Sequence, residues 1–399
     1  MSRGARPLEG LRVLEMGQLL AGPFAGCVLG YFGAEVIKLE PPGGDPIRGW
    51  RVVRDGTSLW WASLARNKKS VTLDLGSPRG RELAKALAAK SDVLIENFRP
   101  GTMEKWGLGP AEMKALNPEL VYARVSGYGQ SGPYAARPGY ASVCEGFAGF
   151  RHLNGFPDRA PVRPNLSMGD TLAGLHAVLG ILLALTARQR GKAAGGQVVD
   201  VAIYESVFNM LESVVPEYDG AGVVREPSGS TITGIVPTNT YLCADGKYVI
   251  VGGNGDSIYQ RLMRAIGRPQ MAADPRYATN AKRVENEKDI DDAISAWTGA
   301  RDSAAVLETL RKAEVPNGPI YNVADMMADP HFNARGMFET VSVGGKPLKI
   351  PAIAPLLGET PGRTDAPGPA LGAHTDEVLE SLLGLQADAR AELRAAGAI

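Results

Sequence analysis

The stretch SMGDTLAGLHAVLGILLALTARQR, Ser167 to Arg190, carries one acid, Asp170, ahead of a long apolar run. Its only cations, Arg188 and Arg190, stand at the far end. Leu172, Leu175, His176, Leu179, Ile181, Leu182 and Leu185 recur at mostly helical spacing. The stripe is wide, which predicts a helix buried on most sides. An acid at the mouth of such a helix meets unpaired N–H groups and the positive end of the dipole. Two roles fit Asp170. It is an N-cap, a device worth about 1 kcal/mol. Or it is a carboxylate nucleophile: with an ordinary pKa of about 3.9 it is ionised at neutral pH and needs no partner base.

The other candidates narrow the chemistry. The four histidines, His152, His176, His331 and His374, share no helical or turn spacing for a metal. His176 reads as a core histidine. No G-x-S-x-G elbow exists for a serine hydrolase. Gly127, Gly129 and Gly132 spell G-x-G-x-x-G after a strand, but Pro133 and Pro138 argue for continued loop where a dinucleotide site needs a helix to begin. Gly17 to Gly22 lacks the Lys-Ser/Thr of a P-loop. Tyr140 and Glu145 follow an Arg137-Pro138-Gly139 turn and read as a loop tyrosine and a solvated acid. Gly252, Gly253, Asn254 and Gly255 permit positive φ and close backbone approach to a ligand, or form a plain turn after a strand.

These residues need elements to position them. Leu11–Met16, a helix over Ala21–Phe32 and Glu35–Leu39 form a β-α-β unit, hence a parallel pair with a right-handed crossover. Strands at Val71–Leu75, Val93–Glu96 and Leu120–Ser126 follow, with a helix over Pro78–Ala89. The alternation predicts a doubly wound α/β sheet, with ligands beyond the carboxyl ends of its strands, near Gly17–Pro23 and Glu40–Gly44. Gln197–Val201 is a further strand and Ile203–Leu211 a helix. Composition shifts to glycine and polar residues over about 217–233, read as a linker. A hairpin, Asn239–Leu242 with Tyr248–Val251, then opens a small α+β domain with helices over Asp256–Ile266, Asn286–Thr298 and Ser303–Ala313, closed by Val315–Pro319. Proline-rich coil runs to Pro369, and two short helices end the chain. The expected division is 1–216 large domain, 217–233 linker, 234–328 small domain and 329–399 a return segment completing the large domain.

With 399 residues and 43 cations against 43 acids, the chain has no electrostatic footprint for nucleic acid or an anionic membrane. Leu172–Ala187 falls short of the ~20 residues of a membrane span and reads as a core helix. Three separated cysteines fit no disulfide or metal pattern. The opening residues hold no apolar signal run. A cytoplasmic location is expected.

Taken together, AGPFAGCVLGYFGAEVIKLEPPGGD, ENFRPGTMEKWGLG, YARVSGYGQSGPY followed by RPGY, SMGD at Asp170, and NGPIYNVADMMADPHFNARGMF resemble the family III CoA-transferases, the family of formyl-CoA:oxalate, carnitine and bile-acid CoA-transferases. The resemblance runs from about Leu8 to the C-terminus. It implies a Rossmann-like large domain, a smaller domain and an interlocked, ring-like homodimer. It implies CoA transfer through an acyl-aspartyl anhydride and an aspartyl-CoA thioester on Asp170. It places CoA contacts at Lys38, at Leu73, Asp74 and Leu75, at Asn97, Phe98 and Arg99, at Lys105, and at Arg137 and Tyr140. It matches the glycine loop that closes over the intermediate to Gly252, Gly253, Asn254 and Gly255. It implies no metal and no cofactor, since the CoA thioester is a substrate.

Leu20 stands where the formyl/oxalate enzymes carry glutamine. Tyr140 stands where the related α-methylacyl-CoA racemases carry an acid–base histidine, which leaves a racemase-type isomerase as the alternative. GIVPTNTYLCADGKYVIVGGNGDS looks most like the succinyl-CoA:dicarboxylate branch, with glutarate or a similar acceptor. Arg163 is a candidate for the distal carboxylate, or an ordinary surface pairing.

Overall fold

The computed structural model describes residues 4–399. Residues 1–3, assigned above to the large domain, lie outside the described residues. The chain divides into two compact units. One combines the chain up to Phe150 with Pro164–Glu212 and His331–Ile399; the other combines Arg151–Arg163 with Ser213–Pro330. Residues 151–163, expected in the large domain, therefore group with the second unit. The expected linker 217–233 is partly helical, since a helix runs over Val214–Ala221.

In the first unit six strands form one parallel sheet. They are β1 (Arg12–Glu15), β2 (Glu35–Glu40), β3 (Lys68–Thr72), β4 (Val93–Glu96), β5 (Val121–Ser126) and β6 (Val198–Ala202), in the spatial order β3-β2-β1-β4-β5-β6. Leu14 pairs with Ile37 on one side and Leu94 on the other. The strands read as near-continuous apolar runs because both faces are covered. Val13, Val36, Val93, Ile95 and Val121 point into a core shared with α1 (Ala21–Tyr31) and α4 (Met168–Gln189). Leu14, Ile37, Leu94 and Tyr122 point the other way, towards α2 (Pro78–Ala88) and the C-terminal helices Thr375–Leu383 and Ala387–Ala395. The strand order reverses between β1 and β4, so the ligand crevice of such a sheet opens beyond their carboxyl ends, at Gly17 and Asn97.

Strand β3 lies three residues before its expected place. Two of its residues, Lys68 and Ser70, are polar yet buried, and they hide the apolar pattern. Lys68 Nζ sits 2.7 Å from Glu15 Oε2, and Ser70 Oγ donates to Glu40 Oε1 at 2.6 Å.

Helix α4 has 22 residues, long and apolar enough to cross a membrane by length and composition alone. It is longer than the sequence suggests. Its alanines explain how it is used: Ala173, Ala177 and Ala184, with Ile181, lie flat against the sheet core. It is not buried on most sides. Leu175, Leu179 and Leu183 are 46%, 53% and 61% exposed and form a stripe along its outer face.

The G-x-G-x-x-G segment is loop, as its prolines predict, and the next helix, α3 (Ala141–Phe147), starts only after Tyr140. Gly127 has a packing reason instead: a Cβ there would stand 2.9 Å from the Gly139 Cα. The two glycines let the loop fold back onto the end of β5. In the return segment a hairpin, Phe338–Val343 with Lys346–Pro351, replaces part of the expected coil. The segment is stitched to β3 and beyond: Thr72 N–H donates to Thr375 Oγ1 at 3.0 Å, Ser70 N–H to His374 Nδ1 at 3.2 Å, and Asp74 N–H to the Ala398 carbonyl at 2.9 Å.

The second unit has an antiparallel sheet ordered Asn317–Pro319, Tyr248–Gly252, Thr238–Leu242. The segment read as a closing turn is thus its third strand. Val249 and Val251 meet Leu262, Ile290, Ile294, Val306 and Leu310 in its core.

Candidate active site

Asp170 is the third residue of α4; the N-cap is Ser167, whose side chain makes no capping bond. The capping role considered for Asp170 is therefore set aside. Its half-buried carboxylate lies in the first turn, where the helix dipole favours negative charge. One residue earlier, the Gly169 N–H donates to Glu145 Oε1 at 3.1 Å. Glu145 is fully buried, which corrects its reading as a solvated acid. It comes from α3, which packs across the start of α4. One of the N–H groups at the mouth of the helix is thus already engaged. Cys144 reports the local field. Burial, then the Asp170 and Glu145 carboxylates, push its thiol up to about 11.

Beside the sheet's switch point, the Gly17–Leu20 loop is held by side chains from two strands or their extensions. Lys38 Nζ donates to the Gly17 carbonyl at 2.7 Å. Asn97 accepts the Gln18 N–H at 2.7 Å and donates to the Gln18 carbonyl at 2.8 Å. Asp45 accepts the Leu19 N–H at 3.2 Å. Leu19 itself sits at φ 62°, a conformation that a leucine adopts only when its surroundings impose it. Beneath the loop Lys38 also pairs with Glu15 at 3.1 Å and Asp45 at 3.0 Å, and it is fully buried. Burial pushes Lys38 down, but Glu15 and Asp45 outweigh it and the net shift is upward.

Lys38 is therefore not a surface cation waiting for a phosphate: its ammonium is already engaged by one carbonyl and two carboxylates, and its contribution is to fix the loop. Of the other expected CoA positions, Arg99, Lys105, Arg137 and Tyr140 are exposed, and the Arg137 guanidinium lies 3.5 Å over the Tyr134 ring. Leu73 is buried and offers only backbone; Asp74 accepts the Gly76 N–H at 2.8 Å, and Leu75 is half-buried. Phe98 packs edge-on against Trp106 with centroids 5.2 Å apart, while its N–H donates to the buried Glu96 at 2.8 Å. Asn97 holds Gln18, as described. Sequence spacing showed none of this scaffolding, because Glu96, Glu40 and Asp45 look like ordinary surface charges.

In the second unit, Gly252 ends its strand and Gly255 caps the helix Asp256–Ala265. None of the three glycines of the loop has positive φ. Gly253 has a packing reason instead: a Cβ there would stand 2.7 Å from Leu262 Cδ2 and 3.1 Å from Pro237 Cγ. The Asn254 carbonyl accepts from the fully buried Arg283 at 2.5 Å, and the same guanidinium nitrogen reaches Asp256 Oδ1 at 2.8 Å. Arg163 belongs to this second unit and is exposed.

Comparison with known proteins decides the family. Residues 8–375 match the model of CoA-transferase family III. This chain is a family III CoA-transferase. A succinyl-CoA–D-citramalate CoA-transferase from Chloroflexus aurantiacus is 48% identical, covering 98% of each chain. A succinate–glutarate CoA-transferase from Agrobacterium fabrum is 34% identical, covering 94% of this chain and 96% of its own. A crystal structure of a CAIB/BAIF family protein from Brucella suis superposes with a TM-score of 0.82 at 35% identity, covering 95% of this chain and 100% of that one. As a family III CoA-transferase the chain is an enzyme of the transferase class, with the mixed α/β fold and parallel sheet of its relatives.

Proposed function

We propose that this family III CoA-transferase moves CoA from succinyl-CoA to a dicarboxylic acid through covalent intermediates on Asp170. The observation that carries the mechanism is the placement of that carboxylate. It stands in the first turn of α4, anionic without help, with its neighbouring amide already fixed by Glu145. The Asp170 carboxylate oxygen attacks the thioester carbonyl; the C–S bond breaks and CoA thiolate leaves, giving a mixed anhydride. The thiolate then attacks the Asp170 carbonyl, releasing succinate and leaving an aspartyl-CoA thioester. The acceptor carboxylate attacks that thioester and displaces the thiolate. The thiolate returns to the acceptor's acyl carbon, and Asp170 is regenerated. Each step exchanges one anion for another, so no acid–base partner, metal or cofactor is required.

The relatives at 48% and 34% identity are named for succinyl-CoA with citramalate and for succinate with glutarate. They support a dicarboxylate acceptor of that size. Arg99, Lys105 and Arg137 are the cations available to CoA phosphates, Arg as a fork and Lys as a point charge. The working form is the interlocked homodimer, which would cover the leucine stripe of α4; the three buried thiols suit the cytoplasm.

The test is intact-protein mass spectrometry after incubation with succinyl-CoA, trapping with hydroxylamine, and peptide mapping. A hydroxamate on Asp170 is the expected product. Turnover with no adduct on any carboxylate would sink the covalent mechanism. Solvent deuterium entering the α-carbon without an acceptor would instead support the isomerase.

A further inference from the structure

Three arginines lie within seven residues of the loop that follows the carboxyl end of β2: Arg48, Arg51 and Arg54. Two are accounted for. Arg48 forks onto Glu40 at 2.7 Å through both Nε and Nη2, and its guanidinium lies 3.7 Å over the Trp61 ring. Arg51 stacks 4.7 Å over the Trp60 ring. Arg54 differs. Its Nε and Nη2 are both shielded from solvent, and neither has a hydrogen-bond partner. Among the described residues it has no carboxylate in ion-pair range and no aromatic face. Its neighbour Asp55, the nearest acid in sequence, is turned to Lys346 at 2.8 Å. Buried guanidinium donors are costly to leave unmade, so two on one fork call for an acceptor.

The backbone holds that fork in place. Arg54 pairs with Thr57 and Val53 with Ser58 in a short hairpin. The Leu59 N–H donates to the Val52 carbonyl at 2.9 Å, and Ser58 Oγ donates to the Trp50 carbonyl at 2.9 Å, closing the neck. Arg51 and Asp55 both adopt left-handed φ, 59° and 50°, on either side. Such conformations persist only where the surroundings over-determine them. The segment leading into the hairpin adjoins the loop that runs towards the nucleophile's helix. The turn before it starts at Asp45, which holds the Leu19 N–H. The Gly17–Leu20 loop runs into α1, and a Cβ on Gly174, one turn beyond Asp170, would touch the Ala21 carbonyl at 2.9 Å.

We propose that Arg54 binds the distal carboxylate of the dicarboxylate substrate and so sets the enzyme's preference for diacids. This rests on the CoA-transferase reading above. A planar carboxylate matches a two-nitrogen fork. Exposed Trp50, Val52 and Val53 beside it suit the hydrocarbon between two carboxylates better than a hydrated phosphate. A CoA phosphate is the other source of an oxyanion, and the test separates the two.

The experiment compares wild type with Arg54→Gln and Arg54→Lys, using glutarate and pentanoate as acceptors of equal chain length. The expected result is that the glutarate-to-pentanoate ratio of kcat/KM falls about 10- to 100-fold in Arg54→Gln. Arg54→Lys, which keeps the charge without the fork, lands between. An unchanged ratio, with both acids losing equally, overturns the proposal, as does a rise in KM for the CoA thioester that vanishes with dephospho-CoA. Calorimetric binding of succinate to the free enzyme needs no turnover. If wild type binds succinate and Arg54→Gln does not, while neither transfers CoA, the functional reading fails and the carboxylate site stands. Equal succinate binding by both proteins overturns the site whatever the turnover.

Discussion

Glu145 receives the Gly169 N–H at 3.1 Å and is wholly shielded from water, one residue before Asp170. The bond fixes the start of α4 from the side, where the N-cap residue Ser167 supplies no side-chain acceptor. Glu145→Ala leaves a buried N–H unmade and is expected to cost about 1–3 kcal/mol in urea unfolding. Glu145→Gln keeps a carbonyl oxygen at the same place and should cost less than Glu145→Ala. Equal losses in the two variants would mean that the hydrogen bond is not what matters.

Asp170→Asn separates chemistry from stability. The side chain stands in the first helical turn, where its charge is worth about 0.3–1 kcal/mol against the dipole. Unfolding free energy should fall by no more than that. CoA transfer should fall by at least about 10³-fold if, as proposed, the carboxylate forms the bonds. Steady-state kinetics beside a denaturant curve reads both.

Lys38→Met removes the cation between Glu15 and Asp45 and leaves two buried carboxylates short of a partner. Breaking a buried pair in this way costs about 3–5 kcal/mol. The same change releases the Gly17 carbonyl, so KM for the CoA thioester should rise even at temperatures where the variant is folded. A stable variant with unchanged KM would contradict the loop-holding role.

His374 makes acid stability testable. Burial holds its pKa below the ordinary 6.5, and its Nδ1 accepts the Ser70 N–H, which requires that nitrogen unprotonated. The unfolded chain therefore binds a proton at higher pH than the folded one. The stabilisation is present above about pH 6.5 and is lost as pH falls from there through the lower folded pKa. Denaturant midpoints between pH 7.5 and 5 should decline, and His374→Asn should flatten the slope in that window.

Cys144 should resist alkylation. With its thiol pushed up to about 11 and fully buried, roughly one molecule in a thousand carries the thiolate at pH 8. Maleimide labelling followed by peptide mapping should find Cys144 modified only after unfolding.

The sheet was legible in the sequence where apolar residues dominate the run, as in β1, β2, β4 and β5, even with Lys38 inside β2 and Arg124 inside β5. At β3 the strand was expected but its start was not legible, because Lys68 and Ser70 are buried through partners 30 or more residues away, which no local pattern reveals. Asp170 stood out because it is alone before a long apolar run. Glu145 did not, because a carboxylate two residues before an aromatic side chain looks the same whether it meets water or an amide from another helix. Lys38 was misplaced for the same reason: its acceptors, Gly17, Glu15 and Asp45, come together only when the strands align. The resemblance names Lys38 as a CoA contact; in the structure it holds the Gly17 carbonyl between two buried carboxylates.

The return segment has a consequence for synthesis. Asp74 donates its N–H to the Ala398 carbonyl, and β3 shares its hydrogen bonds with His374 and Thr375. A nascent chain emerging from the ribosome can align β1, β2, β4 and β5 early, yet one edge of that half-made layer must wait for residues translated almost last. During that interval the edge is an open template, and whatever guards nascent chains against strand-to-strand aggregation has its work at β3.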